Sequence, residues 1–267
     1  MSTATGAILA TDDLGISFGG LRAVQGLALG LPRGGLHGLI GPNGAGKTTV
    51  FNLLTGVYTP TEGSIALEGR SLLGLRPSEI AAAGVSRTFQ NIRLFAEMSV
   101  LDNVLSACHV RARTGLFGAI LRTPRMRAEE AAMRAKAERL LAIFELGGRA
   151  RERAGSLPYG DQRRLEIARA LATEPAVLLL DEPAAGMNSS EKVELRRLIA
   201  KLRQDFALSV LLIEHDMGLV MEICEHITVL DHGVTIAAGT PDRIQSDPKV
   251  IEAYLGEPDA AAHGASA

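Results

Sequence analysis

The chain has 267 residues, enough for one large domain or two small ones, and is 46% hydrophobic and 22% charged, an ordinary balance for a globular protein. A formal net charge of -2 argues against a general nucleic-acid binder, and no uncharged apolar run approaches the ~18 residues that a membrane-spanning helix needs. Met1 to Ala10 has neither the basic start nor the apolar core of a signal peptide, and the two cysteines, Cys108 and Cys224, are far apart and form no C-x-x-C pair, which suits inert thiols in a reducing compartment.

Ile8 to Phe18 and Ala23 to Leu31 read as two strands joined by Gly19-Gly20, a hairpin signal. Phe18 ends the first strand, where an aromatic either packs in the core or offers a face to a purine. Pro32, Gly34 and Gly35 then punctuate the chain before Leu36, Leu39 and Ile40, a short apolar run that reads as a buried strand. That run leads into Gly41-Pro42-Asn43-Gly44-Ala45-Gly46-Lys47-Thr48-Thr49, which fits the phosphate-loop pattern G-x-x-x-x-G-K-[ST]. Val50, Phe51, Leu53 and Leu54 form a helical face behind it, and Gly56 is placed to stop the helix. Strand, glycine loop and helix are the context that this motif requires. Gly44 and Gly46 let the backbone curl towards a phosphate, and the N–H groups from about Asn43 to Thr49 form an anion nest. The helix N-terminus adds partial positive charge. Lys47 then reaches the β- and γ-phosphates of a nucleotide, and the Thr48 hydroxyl is a ligand for Mg²⁺.

Thr59 to Gly63 reads as a turn, and Ile65 and Leu67 alternate as a short strand. Gly84 to Gln90 reads as a strand ending in Gln90; a glutamine in that place is ordinarily a solvated terminus. Ser99 to Ala107 is helical. Arg111 to Arg127 is rich in arginine, with Gly115, Gly118 and Pro124, and reads as a solvated surface or a basic segment facing headgroups or a partner. Met126 to Leu146 is predicted as a helix with Met133, Ala137, Leu140, Leu141 and Phe144 on one face, a Glu130–Arg134 pair, and Gly147-Gly148 as its stop. In the stretch Leu157 to Leu165, Gly160 precedes a helix running to about Ala172, a second candidate anion site.

Val177 to Leu180 is a continuous apolar run of the kind that forms a central parallel strand, and it ends in Asp181 and Glu182. Carboxylates there lie where open α/β sheets bind ligands, so Asp181 is the natural Mg²⁺ partner and Glu182 is placed to take a proton from water. Val210 to Ile213 repeats the pattern and leads to Glu214 and His215, though a lone histidine is ordinarily structural. Ile227 to Leu230 and Val234 to Ala238 flank Asp231-His232-Gly233 as a hairpin, a short helix ends near Leu255, and Glu257 to Ala267 reads as a disordered tail. There is no long internal repeat and only one phosphate loop.

From about Leu14 to Gly256 the chain resembles an ABC-transporter ATPase subunit, and within that superfamily the LivG-type ATPases of bacterial branched-chain amino-acid importers. The stretches that carry the closer likeness are Phe18-Gly-Gly-Leu21, Thr88-Phe-Gln-Asn-Ile-Arg-Leu-Phe95, Tyr159-Gly-Asp-Gln-Arg-Arg-Leu-Glu-Ile-Ala168, Asp181-Glu-Pro-Ala-Ala-Gly186, Ile213-Glu-His-Asp-Met217 and Ala253-Tyr-Leu-Gly256. The resemblance implies that Phe18 stacks on adenine, that Gly41 to Thr49 is the Walker A loop, and that Gln90 touches Mg²⁺ and the attacking water. It makes Leu157 to Gln162 the signature motif, with Tyr159, Gly160 and Asp161 at nucleotide. It further makes Asp181 a Mg²⁺ ligand, Glu182 the general base, Ala185 to Asn188 the D-loop and His215 the switch histidine at the γ-phosphate. The chain departs from the superfamily pattern at Pro158, where serine is usual, at Asp161, where glutamine is usual, and at Asn188, where aspartate is usual.

The fold so implied is α/β, a P-loop NTPase of ABC type, with a mixed core sheet, an antiparallel β subdomain and a helical subdomain near 91–165, all one ATPase domain over 1–256. The activity implied is hydrolysis of ATP with Mg²⁺, two nucleotides being sandwiched head-to-tail between two ATPase subunits, alike or merely related. Two membrane permeases and an external solute-binding protein complete the implied assembly, which places the chain peripherally on the cytoplasmic face of the inner membrane. Arg93, Leu94 and Phe95 would lie in the groove that grips a permease. Branched-chain amino acids lead as cargo, ahead of urea, amides and aromatic acids. A non-transport ABC ATPase working on nucleic acid or translation needs a long coiled coil, a second phosphate loop or zinc cysteines, and this sequence has none of these. The Leu157 to Leu165 stretch and the Asp181-Glu182 pair argue against a metabolic kinase.

Overall fold

The structure is a computed structural model that describes residues 6–111 and 124–255. In chain order the elements are β1 (Ala7–Phe18), β2 (Leu21–Pro32), β3 (Leu36–Ile40), α1 (Lys47–Leu54), β4 (Glu62–Leu67), β5 (Arg70–Ser71), α2 (Pro77–Ala83), β6 (Val85–Arg87) and α3 (Val100–Cys108). They continue as α4 (Pro124–Ile143), α5 (Tyr159–Ala172), β7 (Val177–Asp181), α6 (Ser189–Phe206), β8 (Ser209–Ile213), α7 (Met217–Ile223), β9 (His226–Asp231), β10 (Val234–Gly239), α8 (Pro241–Gln245) and α9 (Pro248–Leu255).

Two sheets result. One is antiparallel, in the order β2-β1-β4-β5, and the other is six-stranded, in the order β10-β9-β3-β8-β7-β6. In the second sheet β9, β3, β8, β7 and β6 run parallel and β10 closes one edge antiparallel to β9. Every residue of β3, β7 and β8 is buried, which is why these strands are mostly apolar rather than alternating. Successive side chains go to opposite faces. Leu179, Leu211 and Leu39 join a core shared with α1 and the antiparallel sheet, while Leu178, Leu180, Leu212 and Ile40 join a core under α5 and α6. Helices α3, α4 and α5 pack on one another and extend that second core. The mixed core sheet and the separate antiparallel sheet are those the sequence implies.

Some boundaries differ from expectation. β6 ends at Arg87, so Gln90 lies beyond the strand; Thr88 N still donates to Leu179 O at 2.9 Å, after which the chain leaves the sheet. α4 ends at Ile143, before Gly147-Gly148, because Glu145 turns left-handed (φ 61°) and lets Phe144 and Leu146 fold into the core. Glu62 and Gly63, expected in a turn, open β4: Gly63 at φ 83° lies so close to the bulge of β1 at Asp13 that no Cβ fits between them. Most of the arginine-rich segment (112–123) and the tail (257–267) lie outside the described residues. No described helix is long and apolar enough to cross a membrane.

One core residue makes stability depend on pH. His37 on β3 is 2% exposed, its Nε2 is 2.8 Å from Thr228 Oγ1, and the His226 ring lies 4.9 Å away. Burial, and then the neighbouring His226, lowers its pKa from 6.5 to about 4. The folded state resists the proton that the unfolded chain accepts below pH 6.5. The stability this confers is therefore complete above that pH and is lost as pH falls through about 4, on the order of 3 kcal/mol in all. Denaturant titration at about pH 7 and about pH 4.5 should show a smaller loss for His37→Leu than for wild type. Equal losses would contradict this role for His37.

Candidate functional site

β3 delivers the chain into the glycine loop, and the β9–β10 turn, itself bonded to β2, holds the loop. Gly233 N, in the β9–β10 turn, donates to Ala45 O at 3.0 Å, and Gln25 N on β2 donates to Gly233 O at 2.8 Å. Gly46 caps α1 at φ 100°, a conformation that favours glycine, and a Cβ there would lie 2.6 Å from Ala23 O. Lys47 is the first residue of α1 and is 6% exposed, and its Nζ donates to Gly41 O at 2.6 Å and to Pro42 O at 2.8 Å. The ammonium is thus aimed back across its own loop. Asn43, Gly44 and Thr48 are exposed, Thr49 is half-buried, and Gly41, Pro42 and Ala45 are buried. α1 carries no acidic residue in its first turn and no side-chain cap at its N-terminus.

Beside the loop, β7 carries the two carboxylates. Asp181 is 3% exposed and receives Arg87 Nη2 at 2.6 Å, while Arg87 Nη1 donates to Asn52 Oδ1 at 2.6 Å. The same guanidinium lies over the Phe51 and Phe89 rings. Glu182 turns left-handed (φ 47°), and its N–H reaches Ile213 O at 2.9 Å. That turn brings its carboxylate between two partners: Gln90 Nε2 donates to Oε2 at 2.7 Å, and His215 Nε2 lies 2.5 Å from Oε1. Glu214 supports this group from beneath, accepting from Ala184 N at 2.6 Å and from His215 N at 3.2 Å, and its burial pushes its pKa above the usual carboxylate range.

The structure therefore brings Gln90, Glu182 and His215 into direct contact. Phe18 and the Tyr159–Asp161 turn make other contacts. Phe18, 44% exposed at the end of β1, meets Tyr58 edge-on with centroids 5.2 Å apart. Asp161 accepts from Arg149 Nη1 at 2.9 Å, and the Tyr159 hydroxyl accepts from Arg163 Nη2 at 3.2 Å. Gly160 does not precede α5, as the sequence suggests, but lies in its first turn. Pro158 is the N-cap, at φ -54° and with no side-chain cap, so the N–H groups of residues 159–161 form the open helix end. Thr48, Gln90 and Asp181 offer only oxygen donors to a cation, a hard donor set of the kind Mg²⁺ takes together with substrate phosphates.

Arg87, Asn52, Glu214, Arg163 and Glu166 have no role in the sequence reading. Arg163 and Glu166 carried a usable signal, since with Ala170 they sit at helical spacing on a buried face, where charges are rare unless paired.

Comparison with known proteins gives the family. Residues 24–185 match the family described as ABC transporter, and residues 234–260 match the one described as branched-chain amino acid ATP-binding cassette transporter. The chain is 51% identical over 250 residues to the high-affinity branched-chain amino acid transport ATP-binding protein LivG of Salmonella typhimurium, with 94% of this chain and 98% of that protein covered. It is 50% identical, with the same coverage, to the protein BraF of the same description from Pseudomonas aeruginosa. The crystal structure of an ATP-binding cassette of an ABC transporter in its ADP conformation matches with a TM-score of 0.82 at 31% identity, over 95% of this chain and 100% of that one.

Replacement of Lys47 by alanine removes the cation from the phosphate loop. Lys47→Ala should weaken ATP binding by about tenfold or more, the cost of a lost charge-assisted contact, in a fluorescence titration with an ATP analogue. Affinity within about twofold of wild type would contradict the assignment of the loop.

Proposed function

The chain belongs to the ABC transporter family as an ATP-binding, ATP-hydrolysing subunit, and we propose that it powers import of branched-chain amino acids with Glu182 at the centre of its chemistry. The observation that carries the mechanism is the Gln90–Glu182–His215 contact beside the phosphate loop. ATP binds with its phosphates in the Gly41–Thr49 nest, where Lys47 turns from its own loop carbonyls to the β- and γ-oxygens. Phe18 offers its exposed face to adenine. Glu182 accepts the proton of the attacking water, Gln90 holds that water against it, and His215 contacts the γ-phosphate. Thr48, Gln90 and Asp181 would hold Mg²⁺, which would supply neutralising charge on the phosphates. Catalysis is then positioning and electrostatic stabilisation by fixed groups.

One feature supports a site completed by a second ATPase subunit. The open N-terminus of α5, with Tyr159, Gly160 and Asp161, makes its contacts away from the phosphate loop of its own chain, so it is left for the nucleotide of a partner. Pro158 has no hydroxyl for that phosphate, so the backbone N–H groups of this turn carry the contact.

A groove of about 370 Å³, lined in part by Val57, Phe89, Phe95, Glu166 and Arg169, is the place for a permease segment. Phe95 is 52% exposed there, with the Arg169 guanidinium 5.5 Å from its ring. Docking of two such subunits on two permeases places the chain peripherally on the cytoplasmic face of the inner membrane, with an external binding protein delivering the cargo. The cargo class rests on the relatives and on the match of residues 234–260.

Glu182→Gln keeps the shape and hydrogen-bonding length of the side chain but removes the proton acceptor. It should retain ATP binding, lose turnover by about two orders of magnitude or more, and accumulate an ATP-bound dimer in size-exclusion chromatography. Near-normal turnover would place the general base elsewhere. In a reconstituted transporter, Phe95→Ala should reduce amino-acid uptake more than it reduces the ATPase rate of the isolated subunit. Equal losses in the two assays would return Phe95 to ordinary packing.

A further inference from the structure

Arg163 and Glu166 form the most deeply buried ion pair among the described residues, with side chains 0% and 1% exposed and 2.9 Å between them. They lie one turn apart on α5, yet most of their hydrogen bonds leave the helix. Arg163 Nη1 donates to Phe89 O at 2.6 Å and its Nη2 to Gln90 O at 2.9 Å. Glu166 Oε1 accepts from Phe89 N at 3.3 Å and from Arg93 N at 3.2 Å. The segment that follows Arg87 has no sheet ladder of its own, and this pair supplies partners for four of its backbone groups.

A buried ion pair is a poor device for stability alone, because apolar side chains of similar volume often serve as well. What charges provide here is direction. A planar guanidinium and a carboxylate grip two carbonyls and two N–H groups in one arrangement. The gripped residues are Gln90 and its neighbours, and Gln90 holds Glu182. Arg163 also reaches the Tyr159 hydroxyl in the first turn of α5, and Glu166 lines the groove around Phe95.

We propose that Arg163 and Glu166 are positioning residues that fasten the Gln90 loop to helix α5, so that the groove, Gln90 and the open end of α5 move as one body. The inference rests on the role given to Gln90 above. It assigns to this pair the setting of Gln90 against Glu182, and not a contact with nucleotide.

The test is steady-state ATP hydrolysis by the full chain, with melting temperature recorded for each variant. The double variant Arg163→Met/Glu166→Leu removes both charges together, so neither is left buried alone. It should lower kcat about tenfold with KM within about threefold of wild type, and in a Gln90→Ala background it should add less than a further twofold loss. Arg163→Lys, which keeps the charge but not the fork, should lower kcat by a smaller factor with the same lack of additivity, and it decides the matter if the double variant does not fold. Folded variants with kcat within twofold of wild type, or losses that multiply with that of Gln90→Ala, would overturn the proposal. If Gln90→Ala itself leaves kcat unchanged, the role given to Gln90 falls and this inference falls with it. A loss on Gln90→Ala with none at Arg163 defeats this inference alone.

Discussion

The parallel pairing of β8 with β3 on one side and β7 on the other is the constraint on which the site depends. In register, Leu36 to Gly38 lie opposite Val210 to Leu212, and Val177 to Asp181 lie opposite Ser209 to Ile213. Three strands therefore end together at one edge of the sheet. Gly41 leaves from the first, Glu214 and His215 from the second, and Asp181 and Glu182 from the third. Open α/β sheets bind ligands at these carboxyl ends. A slip of one residue in β7 would send Asp181 to the wrong face and break the contact of Glu182 with Gln90 and His215. The apolar side chains that hold register are thus as much part of the site as the polar ones.

The cost of the site lies in its charges. Arg87 with Asp181 and Arg163 with Glu166 are buried pairs, and Glu214 is a buried carboxylate. Desolvation penalises each of these, and the pairs are tolerated because hydrogen bonds occupy both terminal nitrogens of each guanidinium, although each Nε is left buried without a partner. Glu182 adds local strain, since a non-glycine residue at φ 47° is disfavoured by roughly 1–3 kcal/mol unless its surroundings hold it. The bond from Glu182 N to Ile213 O is what holds it here. The strained turn takes the carboxylate out of the line of the strand and puts it between two residues from different loops. Stability is spent where geometry is required.

Much of this was legible in the sequence. The continuous apolar runs announced three central strands, and the phosphate loop announced its own chemistry, because both signals are local. The Asp181-Glu182 pair at a strand end was legible for the same reason. Gln90 was not legible from spacing alone: it sits beyond its strand, in a segment whose path is set by Arg163 and Glu166 more than 70 positions away in the chain. Arg87 looks like an ordinary charged strand end, and only the fold shows it lying between two aromatic rings with its charge on Asp181. The early end of α4 escaped the sequence because Glu145 takes the left-handed turn that the following glycines seemed to offer. Phe18 is half legible, since its exposure agrees with a stacking role while its neighbour Tyr58 comes from a distant segment.

The central claim is that one chain binds the phosphates at Gly41 to Thr49 and offers the open end of α5 to a second subunit's nucleotide. Amide hydrogen exchange reads both halves at once, because both are made of backbone N–H groups. Exchange should be measured on the Glu182→Gln chain with and without ATP and Mg²⁺, together with its partner ATPase if that partner is a different chain. The account predicts slowed exchange at Asn43 to Thr49 whenever nucleotide is bound, and at Tyr159 to Asp161 only under conditions where the dimer forms. Unchanged exchange at Asn43 to Thr49 on saturation with ATP, or protection of Tyr159 to Asp161 in the monomer, would contradict it.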